Sequence, residues 1–208
     1  MKRLVFWFDV ISPFAYLAFE RLPQALEGCS YEVEYRPVLF AGLLKYWGQK
    51  GPAEIEPKRA WTFRHVHWLA HEQGITLDTP AQHPFNPLSL LRLAVAAGPN
   101  RRVVEAVLRH AWQGGADAND PARLAALHER LAPPRDPASE EVKAELRHNT
   151  EAALQQGVFG VPSIELDGRV FWGLDALPMV AAALRVDAWF DGPAWAREGA
   201  PRPGIVRG

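Results

Sequence analysis

Strand-forming sequence occurs in only two parts of this chain, near its start and near residue 165, and almost everything between reads as helix. Leu4–Val10 is an aromatic and β-branched run with apolar residues on both faces, the pattern of a strand covered on both sides. Tyr31–Arg36 alternates apolar with charged residues and predicts a second, half-exposed strand. Between the two, Ser12 stands before Pro13 as an N-cap stands before a proline in the first helical turn. That helix runs through Tyr16, Leu17, Phe19, Leu22 and Leu26 and ends near Gly28. Strand character returns at Ser163–Leu166 and Val170–Trp172 around an Asp167-Gly168 turn, which is a hairpin signal. A last helix is expected from about Asp175 to Leu184.

The middle of the chain predicts helices near Phe40–Trp47, Pro57–Gln73, Pro87–Ala97, Arg101–Trp112, Pro121–Leu131 and Ser139–Gln156. Loops such as Gly114–Pro121, rich in Gly, Asp and Asn, separate them, and no internal repeat is visible. The order is β-α-β, a helical block, then β-β-α. It predicts an α/β chain of thioredoxin-like fold with an inserted all-helical domain, although an unrelated α/β layering gives the same string. The expected units are 1–38 with 157–186 for the sheet, 39–156 for the helical insertion, and 187–208 as a surface tail or dimer arm.

Composition removes several functions. A formal net charge of -1 argues against nucleic acid, because phosphate binding needs clustered cations in excess. The apolar run after Met1-Lys2-Arg3 stops at Asp9, too short for an export signal, and no stretch has the length of a membrane span. The single cysteine, Cys29, excludes an internal disulfide and a C-x-x-C pair, and points to a reduced, cytoplasmic setting. Cys29 reads as inert core or strand edge. His67 and His71, four apart with His65 nearby, have no evident third partner, so no metal is expected.

Three places carry chemistry. A Ser before Pro at a helix start caps the helix, but free N–H groups there also attract an anion, and a hydroxyl can donate to a bound thiolate. Gly160-Val161-Pro162-Ser163 is either a loop entering a strand or a cis-proline that presents the backbone of Val161 to an extended ligand. Asp175, in Phe171-Trp172-Gly173-Leu174-Asp175, is either a helix cap or a partner for a ligand ammonium.

Together, Asp9-Val10-Ile11-Ser12-Pro13-Phe14-Ala15-Tyr16-Leu17-Ala18, Gly157-Val158-Phe159-Gly160-Val161-Pro162-Ser163 and Trp172-Gly173-Leu174-Asp175 resemble the 2-hydroxychromene-2-carboxylate isomerases. These stand with the kappa-class glutathione transferases and, more distantly, with periplasmic disulfide oxidoreductases. The resemblance spans residue 2 to about 184. It implies a glutathione-dependent isomerase acting on a small aromatic hydroxy-acid, a homodimer that binds neither nucleic acid nor membrane, with Ser12-Pro13-Phe14-Ala15 where the oxidoreductases carry C-x-x-C. By that resemblance Ser12 lies beside the glutathione sulfur, the backbone of Val161 brackets its cysteinyl part, and Gly173, Leu174 and Asp175 hold its γ-glutamyl end. Gln49, which replaces the usual Asn, and Lys58 complete the glutathione contacts. Lys45, His83 and Asn86 face the substrate, and Phe14 and Tyr16 wall it. The other readings are a kappa-like transferase or peroxidase and a non-catalytic thioredoxin-fold binding module.

Overall fold

The computed structural model describes residues 1–200 and Gly204. Strands β1 (Lys2–Phe8), β2 (Tyr31–Pro37), β3 (Ser163–Leu166) and β4 (Arg169–Trp172) form one mixed sheet in the order β2-β1-β3-β4. β1 pairs parallel with β2, and β3 runs antiparallel to both β1 and β4. The parallel pair needs a crossover, which helix α1 (Pro13–Ala25) supplies. Helices α2 (Phe40–Trp47), α3 (Glu56–Gln73), α4 (Leu88–Ala97), α5 (Arg101–Trp112), α6 (Pro121–Leu131) and α7 (Glu140–Gln155) follow before the chain returns through β3 and β4 to α8 (Leu177–Leu184). This is the thioredoxin-like α/β arrangement expected from the sequence.

The alternation of β1 explains why it is central. Leu4, Phe6 and Phe8 join the larger core, which reaches through α1 to α4 and α5. Trp7 points the other way, into a smaller cluster with Val38, Leu43, Val158 and Val161. Each such fully buried side chain stabilises the fold by roughly 1.5–3 kcal/mol. The helix starts follow capping chemistry: Asn100, Asp120 and Ser139 accept from the N–H of Val103, Arg123 and Val142 at 3.1, 2.8 and 3.3 Å.

The structure differs from the sequence reading at three elements. β1 stops at Phe8 rather than Val10, because the next backbone groups bond to side chains instead of a neighbouring strand. The last helix starts at Leu177 after a 3-10 turn over Leu174–Ala176, and Asp175 caps neither. Residues 187–200 are not a trailing tail. Phe190 is buried against Phe171, and Trp195, in a short helix α9 (Pro193–Glu198), packs on both. Trp189, Phe190 and Trp195 form an aromatic cluster against Phe171 of β4, which the Pro and Gly content of the segment concealed. The rest of the expected tail, 201–203 and 205–208, lies outside the described residues.

Candidate active site at the start of α1

Ser12 is the N-cap of α1, with extended backbone and Pro13 behind it. Its Oγ accepts from Ala15 N–H at 3.2 Å and donates to the carbonyl of Val161, also at 3.2 Å. The second bond joins two motifs 149 residues apart. Both residues are buried, and Val161–Pro162 is cis, as the sequence reading expected. The Val161 N–H has no acceptor among the described residues. Pro162 O receives the N–H of Gly173 at 2.9 Å, which fixes the 173–175 corner beside the 160–162 turn.

The corner is built for close approach. Gly173 has φ +100, and a Cβ there would run into the Asp175 carboxylate. Gly173→Ala is therefore expected to lower stability by about 1–3 kcal/mol, measured by thermal melting. An unchanged melting temperature would show that the backbone relaxes freely there. Asp175 is exposed, and its carboxylate has no hydrogen-bond or ion-pair partner among the described residues. Gly160 lies against the half-exposed Trp172, where a Cβ would meet the indole nitrogen at 2.5 Å.

The loop leading into Ser12 is held by side chains from far along the chain. Asp9 is fully buried; its carboxylate oxygens accept from Ile11 N–H at 3.1 Å and Phe40 N–H at 2.8 Å. Burial pushes its pKa from 3.8 to about 7, and the N–H groups of Phe40, Ile11 and Val10 pull against that rise. Trp112, fully buried on α5, donates its indole N–H to Val10 O at 2.8 Å. His83 Nε2 meets Ile11 O at 3.0 Å. A carbonyl only accepts, so Nε2 carries the proton, and burial lowers the pKa of this ring, helped by Arg59. Neither Asp9 nor Trp112 was singled out from the sequence. A lone acid ending an apolar strand was the available signal for Asp9; nothing local marks Trp112.

The expected residues fall into two groups. Ser12 bonds to Val161, and Val161, Gly173, Leu174 and Asp175 line one cavity, with Phe14. Lys45, Gln49 and Lys58 are exposed between the end of α2 and the start of α3, and none of them lines that cavity. His83 is turned inward to Ile11, among Phe63, Phe85 and Trp112, and Asn86 Oδ1 accepts from Leu88 N–H at 3.1 Å. Tyr16 does not wall the site. It is fully buried, with its hydroxyl donating to Thr76 O at 2.6 Å and accepting from Gln113, because its position places it on the opposite face of α1 from Phe14. His67 pairs with Thr79, and among the described residues no group of three or more His, Cys, Asp and Glu is placed to hold a metal ion. Among those residues, too, no helix is long and apolar enough to cross a membrane.

Comparison with known proteins agrees with this fold. A family model described as a DSBA-like thioredoxin domain matches residues 3–185. The 2-hydroxychromene-2-carboxylate isomerase of Sphingobium xenophagum is 30% identical over 192 residues, covering 88% of this chain and 98% of that relative. Glutathione s-transferase kappa 2 of Caenorhabditis elegans is 30% identical over 205 residues, covering 86% of this chain and 90% of that relative. Among solved structures, a selenomethionine 2-hydroxychromene-2-carboxylate isomerase has a TM-score of 0.78 at 23% identity, over 95% of this chain and 100% of that one, a likeness of fold. The chain thus belongs to the DsbA-like thioredoxin family, among relatives named 2-hydroxychromene-2-carboxylate isomerase and kappa glutathione S-transferase.

Proposed function

We propose that this chain is a glutathione-dependent isomerase of 2-hydroxychromene-2-carboxylate or a similar aromatic hydroxy-acid, with Ser12 as its catalytic residue. The observation that carries the reading is the Ser12–Val161 bond, which sets a hydroxyl donor at a helix N-terminus beside a backbone made to receive an extended ligand. The polar groups fit glutathione. Val161 offers an N–H with no acceptor among the described residues, and its carbonyl becomes free when the Ser12 hydroxyl turns to a sulfur. Asp175 offers the γ-glutamyl ammonium a carboxylate that has no partner among the described residues, with Gly173 and Leu174 beside it. Gln49 and Lys58 are assigned to the other end of the tripeptide, and Lys45 to the substrate carboxylate.

When bound, glutathione supplies a thiol nucleophile for reversible addition to an unsaturated carbon. Ser12 and the first N–H groups of α1 hold its sulfur in the charged form. Residues 1–38 with 157–186 form the thiol-binding unit in this proposal, and 39–156 carry the substrate side. His83 and Asn86 shape that side through Ile11 and Leu88, rather than by reaching outward. The protein acts in the cytoplasm as a homodimer.

Turnover of 2-hydroxychromene-2-carboxylate is expected with glutathione and absent without it. Asp175→Ala is expected to weaken glutathione binding by about 1.5–3 kcal/mol, roughly ten- to hundredfold, by removing a charge-assisted contact. Glutathione affinity equal to wild type would refute the corner. The kappa relatives favour a second reading, and conjugation of 1-chloro-2,4-dinitrobenzene without isomerisation would assign transferase activity instead.

A further inference from the structure

The cavity at the 173–175 corner encloses about 690 Å³ and continues well past it. Val161, Gly173 and Asp175 mark one end. From there it follows one face of α1 through Phe14, Arg21 and Ala25, about 16 Å of helix axis. Arg185 marks the far end, donating to Glu27 O just beyond α1 at 3.3 Å. A tripeptide spans only about 10 Å when extended, and its thiol and γ-glutamyl ends both belong to the near end.

The far part has its own chemistry. Arg21 and Arg185 are its cations; Arg21 bonds to the neutral Gln24, Arg185 to a backbone carbonyl, and neither pairs with a carboxylate among the described residues. The only acid in the lining is Asp175, at the opposite end. Leu69, Leu177 and Ala181 supply apolar wall between. Gln73, from α3, also lines the cavity, although its Oε1 has no accessible surface and no hydrogen-bond partner among the described residues.

We propose that this far part is a second ligand site, for an amphipathic carboxylate: an apolar acyl chain with a free carboxylate at its head. Its carboxylate meets Arg21 and Arg185, and its acyl chain lies along the apolar wall of Leu69, Leu177 and Ala181. The site uses none of the thiol-binding groups, so it stands apart from the isomerase reading.

N-decanoylglycine is the probe, titrated by calorimetry into the full chain with and without glutathione. Binding is expected in both conditions, with a Kd at least tenfold higher for the Arg21→Ala/Arg185→Ala protein and for the uncharged methyl ester on wild type. Arg185 is exposed and Arg21 half-buried, and a melting curve checks that the variant is folded. Ala25→Trp, which fills the trench and leaves both cations, is expected to weaken the probe equally. Equal affinity in wild type and the double variant, no binding to wild type, or complete displacement by glutathione would each overturn the proposal. Glutathione binding in the double variant reports separately on the thiol site, where no change is expected.

Discussion

Ser12→Asp is expected to give a folded protein whose glutathione-dependent turnover falls by at least about a hundredfold. Aspartate caps a helix as well as serine does, so the Ala15 N–H keeps its acceptor. The carboxylate has no proton to donate, and it places a negative charge where the sulfur anion must form. Removing one pre-aimed donor from such a site typically costs about 2.7–4 kcal/mol in the reaction barrier, and charge repulsion adds to that. Ser12→Ala separates the two roles. It loses the cap, worth about 1 kcal/mol of stability, and it loses the donor without adding charge. Titrating the thiolate absorbance of bound glutathione should therefore give the lowest thiol pKa in wild type, a higher one in Ser12→Ala and the highest in Ser12→Asp. A thiol pKa common to all three would leave Ser12 as a cap only.

Asp9 is expected to make the fold less stable as pH rises toward neutrality. Its pKa is about 7 in the folded chain against 3.8 for a free side chain, so between these values the folded state holds a proton that the unfolded state has lost. The contribution of the neutral carboxyl is complete below about pH 3.8 and is lost as pH passes through about 7. Its full size is on the order of 4 kcal/mol. Asp9→Asn has nearly the same shape and no titration at this position. Urea unfolding from pH 4 to 8 should show wild-type stability falling by that order relative to the variant. Parallel curves for the two proteins would mean that the carboxyl is already charged at pH 4, held by the N–H groups of Ile11 and Phe40.

Much of this fold was legible because its helices obey local rules. The bounds of α2, α5 and α6 coincide with the apolar spacing and the Pro, Gly and Asn punctuation around them. Ser12, Val161 and Asp175 were legible because each sits at a motif whose backbone role is local: a helix start, an X-Pro bond and a post-strand turn. The supports of the Ser12 loop were not. Trp112 lies 102 residues from Val10, and His83 lies 72 from Ile11. Tertiary packing alone decides such contacts, and periodicity along the chain carries no trace of them. For the same reason Val10 looked like strand. Its carbonyl is claimed by an indole, not by a neighbouring β-strand.

The indole bond from α5 to Val10 also limits how the molecule admits a ligand. It ties the middle of the chain directly to the peptide two residues before Ser12, through a side chain with no exposed surface. Swinging the helical block away as a hinged lid would break that bond, empty the large indole site and strand a carbonyl in the interior. At the rim of the 160–162 turn the exposed rings of Trp172 and Phe159 have centroids 5.0 Å apart, with Trp172 against Gly160, and they can turn without disturbing that bond. Such rotations take place in nanoseconds, far faster than the opening of a domain.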